Sequence, residues 1–294
     1  MTSARPAPTS DPDTIPRMPA WVTSARVENP EDVAFLSGAA LSQLHIVVMR
    51  PDLPHALLRD RLSLRAAEAC LGFAGRPERA AELRDAVHLL RPGDLPGPAG
   101  DVYLAWRRAV ARPVSVKALC RAFPDLEAGG IAGWLGAGRG SPVNRAAAVL
   151  ETVLTEAPRA EVAGLVLADA ALSKALGWDH LVPLLAAGLK RADLRKSGDD
   201  LRLACHRAVV ASAVEGQRLA VDVARRAARL KLVAPKLRAK GAGDAVLMFL
   251  SRDAVAPAAL PLPDRAARRL CDRLVDLAAV RELTGRDTYR LYGV

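Results

Sequence analysis

Apolar residues recur at helical spacing along most of this chain, and the breaks between runs carry the usual helix punctuation. Asn29 is placed to cap a helix, Pro30 suits its first position, and Glu31 and Asp32 complement the dipole of its first turn. Val33, Leu36, Ala40, Leu44 and Val47 keep the period until Arg50-Pro51 stops it. A second helix carries Leu57, Leu58, Leu62, Ala66 and Ala69 and closes near Gly75, and a third runs from Pro77 to before Pro92. Residues 91–100, rich in Pro and Gly, read as a stiff loop. Further helices are expected at about 99–112, 115–123, 142–157, 160–176, 179–190, 200–214 and 216–233, supported by abundant Ala and Leu. Residues 29–240 therefore read as an all-α helical domain without a fixed-period repeat.

The pattern changes near the C-terminus. Residues 243–251 predict a short, very apolar helix, followed by a joint at Pro257, Pro261 and Pro263. Asp264 then opens a helix to about Ala279, with Ala267, Leu270, Cys271, Leu274, Leu277 and Ala278 as its apolar stripe. Arg265, Arg268, Arg269, Asp272 and Asp276 fall on its other side. Val280–Leu283 and Thr288–Tyr292 predict two short strands around the Gly285 turn. Helix, joint, amphipathic helix and β-hairpin is the order of a winged helix-turn-helix. The expected fold class is thus mainly α: a multi-helix N-terminal domain, then a small winged-helix-like domain at 241–294. Residues 1–28, with five prolines, read as a disordered tail.

Composition refines this picture. Of 294 residues 51% are hydrophobic, enough to offset the entropy of ordering a core. The four cysteines (Cys70, Cys120, Cys205, Cys271) form neither a disulfide framework nor a C-x-x-C pair, so no structural metal is expected. The N-terminus lacks the apolar core of a signal peptide, and charges interrupt the most apolar stretch, Val162–Leu189. A cytoplasmic protein without membrane contact is expected.

The net charge of +10 is unevenly spread. Residues 217–294 hold 16 Lys+Arg against 8 Asp+Glu, a net of +8, whereas the first 216 residues net +2. Arg225, Arg226, Arg229, Lys231, Lys236, Arg238 and Lys240 form a block without an intervening acid, suited to phosphate contacts. In a winged helix the second helix enters the major groove, so Arg265, Arg268 and Arg269 would reach phosphates or guanine edges, with Arg286 at the hairpin turn touching an adjacent phosphate or groove. Against direct DNA contact, residues 241–294 net only +1, and Asp272 and Asp276 dilute the reading face.

Some segments match a known family. They include Leu83-Arg84-Asp85-Ala86, Arg91-Pro92-Gly93-Asp94, Pro96-Gly97-Pro98-Ala99-Gly100 and Leu104-Ala105-Trp106-Arg107. Further matches are Ala175-Leu176-Gly177-Trp178, Arg191–Arg195, Ala204–Ala208, Arg281–Arg286 and Arg290–Gly293. In these segments the chain resembles, from about residue 30 to its end, the bacterial domain-of-unknown-function family 1403. The resemblance implies no activity, ligand or site residue; it points to a setting near plasmid replication and segregation genes.

Catalysis finds little support. Asp85, His88, Asp94, Trp106 and Arg107 bracket the Pro/Gly-rich loop, and Asp85 and His88 share a helix face, but no third ligand follows by spacing. The loop lacks the Lys-Ser/Thr ending of a nucleotide-binding loop. Asp169 is expected to be buried against an arginine such as Arg195 or Arg207. Cys205 and His206, adjacent on a helix, diverge by ~100° and read as core residues. Trp106, Trp134 and Trp178 read as core anchors.

The expected function is that of a non-enzymatic DNA-associated or regulatory protein without cofactor, in plasmid or chromosome maintenance. It would bind duplex DNA through the winged helix and preceding basic segment. The alternative is a protein–protein adaptor that uses the same surfaces without DNA contact.

Overall fold

The computed structural model describes residues 15–24, 29–91 and 93–294. Helices dominate: α1 (Ala20–Ser24), α2 (Pro30–Val48), α3 (His55–Phe73), α4 (Ala80–His88), α5 (Gly97–Val110) and α6 (Val116–Ala122) come first. They are followed by α7 (Ala128–Gly136), α8 (Pro142–Glu156), α9 (Glu161–Ala175), α10 (Leu185–Gly188) and α11 (Gly198–Val233). The chain ends with α12 (Ala242–Phe249), α13 (Asp264–Asp276) and two antiparallel strands, β1 (Arg281–Glu282) and β2 (Tyr292–Gly293).

The local signals act as expected at several helix ends. Asn29 accepts a hydrogen bond from the Asp32 amide at 2.8 Å, so its side chain caps α2. Ser115 caps α6 in the same way, at 3.2 Å from the Ala118 amide. Helix α11, 36 residues and ~54 Å long at 1.5 Å per residue, is the spine against which α2, α3, α8 and α10 pack. The apolar core runs without a break from the helical body into the C-terminal unit, where Ala245, Phe249, Leu270, Leu274 and Tyr292 join it.

Several expectations need correction. Helices 200–214 and 216–233 are one helix, because Gly216 lies buried inside α11 facing Leu44 rather than ending it. The 124–141 stretch holds an unanticipated helix, α7, despite Gly129, Gly130 and Gly133; its buried Ile131 anchors it. The helix expected at 179–190 shrinks to α10. Pro183 disfavours helical geometry at the residue before it, and Asp169 fixes where the helix starts. The Asp169 carboxylate accepts the Leu184 and Leu185 amides at 3.1 and 3.0 Å, so its partners are backbone donors and not Arg195 or Arg207. Behind α10, Gly188 meets the Ala208 backbone so closely that a Cβ would sit 2.3 Å from its carbonyl oxygen.

Part of the expected tail is ordered. Ile15 and Val22 are buried, and Trp21 of α1 stacks on Phe35 with ring centroids 5.8 Å apart. Residues 1–14 and 25–28 lie outside the described residues. His206 is satisfied by Ser37 at 2.6 Å and Asn144 at 3.1 Å, both away from Cys205. Trp106 and Trp178 are buried, whereas Trp134 is half-buried and donates to Glu156 at 2.7 Å.

Candidate nucleic-acid interface

Helix α13 buries Ala267, Leu270, Cys271 and Leu274 and turns its polar face outward. Arg265, Arg268 and Arg269 are exposed in its first two turns, followed by exposed Asp272, Arg273 and Asp276. Its N-terminal half is therefore basic and its C-terminal half mixed. Arg268 is ion-paired to Asp264 at 2.8 Å, one turn earlier.

After α13 the strands pair in the register Arg281↔Gly293 and Glu282↔Tyr292. Tyr292 also bridges antiparallel to Val255, with Val255 N–H to Tyr292 O at 2.8 Å and Tyr292 N–H to Val255 O at 3.0 Å. Tyr292 thus lies between Glu282 and Val255. The connection between the strands is longer than the expected turn, spanning 283–291, because its own polar groups hold it. Arg286 reaches back to the Tyr289 carbonyl, and Arg290 Nε donates to the Arg286 carbonyl at 3.0 Å.

The basic block approaches the α13 segment at two points. Near one end Arg229 donates from Nε and Nη2 to the Leu277 carbonyl, at 3.3 and 3.2 Å, where a cation suits the negative end of the helix. Near the other end Gly241, at φ +87°, backs onto Pro261; a Cβ there would lie 2.8 Å from its carbonyl oxygen. Residue 229 thus meets the end of α13 and residue 241 the segment just before its start, and Lys236, Arg238 and Lys240 fall between these two contacts in sequence. These three are exposed, as are Arg225, Arg229 and Lys231. Not all of the block is available: Arg226 is half-buried and paired to Asp222 at 2.8 Å, Lys231 contacts the Asp52 carbonyl at 3.5 Å, and Arg225 is engaged by a neighbour. Arg286 is also committed, to Asp85 of α4.

A buried charge network holds this unit on the helical body. Asp253, its side chain 1% exposed, accepts from Arg61 Nε at 3.1 Å and Arg84 Nε at 2.5 Å. Its amide donates to Asp60 at 2.9 Å, and Asp60 accepts Arg107 at 2.8 Å. Arg61 also donates to the carbonyl of Val294, the last residue. Burial pushes the Asp253 carboxyl up, but the hydrogen bond and charge of Arg84, with Arg61, outweigh it and hold the group below its ordinary range. Burial wins at Asp60, which is raised despite Arg107. The sequence reading missed this network, though Arg61 falls one turn after Leu57 on the buried stripe of α3, an unusual place for a charge.

The alternative cluster around the Pro/Gly loop does not converge. Asp85 binds Arg286, Asp94 accepts the Arg91 amide at 2.9 Å, and Arg107 binds Asp60. Burial, then Arg107, push the His88 imidazole down to about 3, so it is neutral. Among the described residues no three His, Cys, Asp or Glu gather as metal ligands. No described helix is long and apolar enough to cross a membrane.

A family model described as protein of unknown function (DUF1403) matches residues 6–294. The chain belongs to this family. The match spans the helical body and the C-terminal unit alike, so the DUF1403 family includes both. No curated protein matches the chain.

Proposed function

We propose that this DUF1403 protein is a non-enzymatic DNA-associated protein, acting in plasmid or chromosome maintenance, with a winged-helix C-terminal unit. Helix α12, the bridge at Val255, the short turn Pro257–Ala259, α13 and the two strands follow one another in winged-helix order. The central position of Tyr292 between Val255 and Glu282 fits that topology. In this reading α13 enters the major groove with Arg265 and Arg269 leading, while Lys236, Arg238 and Lys240 meet the flanking phosphates.

The observation that carries the proposal is the pair of contacts by which the basic block meets the α13 segment, Arg229 at Leu277 and Gly241 at Pro261. In this reading the two contacts bring two sets of cations that are distant in sequence to one side of the unit. Mobility-shift titration of duplex DNA at two salt concentrations tests it. Retardation at low salt that weakens steeply as salt rises is expected; no retardation at low salt would refute it.

A second reading, a protein–protein adaptor, is favoured by exposed apolar side chains, Leu247 and Tyr289 on the C-terminal unit and Leu232 near the end of α11. Alanine at Arg265, Arg268 and Arg269 separates the two. It abolishes a DNA function and leaves an adaptor intact.

A further inference from the structure

A cleft of about 890 Å³ lies between the end of α4, the 256–259 turn, the start of α13 and the 287–292 segment. That volume is in the range that encloses a small organic ligand. Its walls combine apolar surface from Leu89, Leu90 and Pro257 with aromatic surface from Tyr289 and Tyr292.

The charges in it are balanced. Three guanidiniums (Arg91, Arg268, Arg290) face three carboxylates (Asp264, Asp272, Asp287). Two of the cations have partners: Arg268 has Asp264 at 2.8 Å, and Arg290 has Asp287 at 3.6 Å. No ion pair among the described residues involves Arg91 or Asp272, which leaves one cation and one anion for a ligand. His88 also lines the cleft, and its buried Nε2 has no hydrogen-bond partner.

We infer that this cleft binds a small zwitterion with an apolar body, of the class of short peptides and amino-acid derivatives. Arg91 takes its carboxylate and Asp272 its ammonium, while Leu89, Leu90 and Pro257 cover its apolar part. A polyanion such as a nucleotide is disfavoured, because it would leave Asp264, Asp272 and Asp287 facing its charge.

Calorimetric titration of the full-length protein with L-leucyl-L-phenylalanine, in the absence of DNA, tests the inference. Saturable binding is expected. Arg91→Gln and Asp272→Asn are each expected to weaken it about tenfold or more. Blocking the peptide's carboxylate as an amide should cost the wild type as much as Arg91→Gln does, and acetylating its amine as much as Asp272→Asn. Both residues are exposed, and an unchanged thermal melt of each variant confirms that the fold is intact. No saturable binding, or binding indifferent to both variants, would overturn the inference. Because DNA takes no part in the measurement, either result leaves the DNA proposal to its own test.

Discussion

Arg286 and Asp85 form a two-pronged ion pair across 201 positions of sequence, with Nη1–Oδ2 and Nη2–Oδ1 both at 2.8 Å. It ties the loop between the two strands to α4 and neutralises the cation that the sequence assigned to a DNA phosphate. Both side chains are about a third exposed, so the pair is worth only ~0.2–1 kcal/mol. A double-mutant cycle on Arg286→Ala and Asp85→Ala, read by urea melts, should return a coupling in that range. Its electrostatic consequence is larger. Asp85→Asn leaves the guanidinium unmatched, and the salt slope of DNA binding should steepen by ~0.9, one phosphate contact. Arg286→Ala should leave the wild-type slope unchanged.

Asp253 is expected to matter far more to stability. Its carboxylate is the shared partner of Arg61 and Arg84, and its amide is bound by Asp60. Asp253→Ala leaves two largely buried guanidiniums without that charge, a loss of about 3–5 kcal/mol. Chemical denaturation of the variant should show this as a markedly lower midpoint. A loss below about 1 kcal/mol would mean that the network relaxes around its missing centre.

The helical order was legible because local signals set it: Asn29 at its cap, the stripe from Val33 to Val47, the amphipathic α13. What escaped depends on partners distant in sequence. Arg61 and Asp253 meet across 192 positions, and nothing near either announces the other. Asp169 stood out as a carboxylate in an apolar helix, but its partners are backbone amides at the start of α10, a donor that every residue except proline carries. Helix α7 was hidden because glycine usually marks a break, and the packing of Ile131 overrides that preference. At the candidate interface, the exposure of Arg265 and Arg269 follows from helical periodicity. The contacts of Arg229 with Leu277 and of Gly241 with Pro261 are tertiary, and so is the capture of Arg286.

The pH dependence of stability should carry the signature of Asp169. Burial pushes its carboxyl up to about 7, against the pull of the amides that bond to it. In the unfolded chain the group titrates near 3.9. The folded state therefore binds the proton more tightly. The stability gained from this is fully present below about pH 4 and is lost as pH rises through about 7. Asp253 is lowered and acts with the opposite sign: its contribution is lost as pH falls below the ordinary carboxylate range. Asp60 is raised and shares the sign of Asp169, so a single profile of the wild type mixes the groups. The difference between wild type and Asp169→Asn isolates the contribution of Asp169. Asparagine cannot titrate, and its NH₂ opposes one of the two donor amides, so the variant should be less stable throughout. Urea melts at pH 5 and pH 8 should show that penalty shrinking at the higher pH.

Neutralising part of the basic block should change the salt dependence of DNA binding by a countable amount. Each phosphate contact contributes ~0.9 to the slope of log K against log salt. Lys236, Arg238 and Lys240 are exposed in the segment that ends at Gly241, which meets Pro261. Changing all three to Gln should reduce the slope by about 3 and weaken binding to every duplex alike, because phosphate contacts carry no sequence information. Arg265→Ala and Arg269→Ala should behave differently if they reach base edges: the slope changes little, while the preference among duplex sequences narrows by ~1–3 kcal/mol per lost contact. Titrations of the variants against two unrelated duplexes over a salt series distinguish the two roles. Equal losses on both duplexes, with equal slope changes, would place all five cations on phosphates and remove α13 as a reader of sequence.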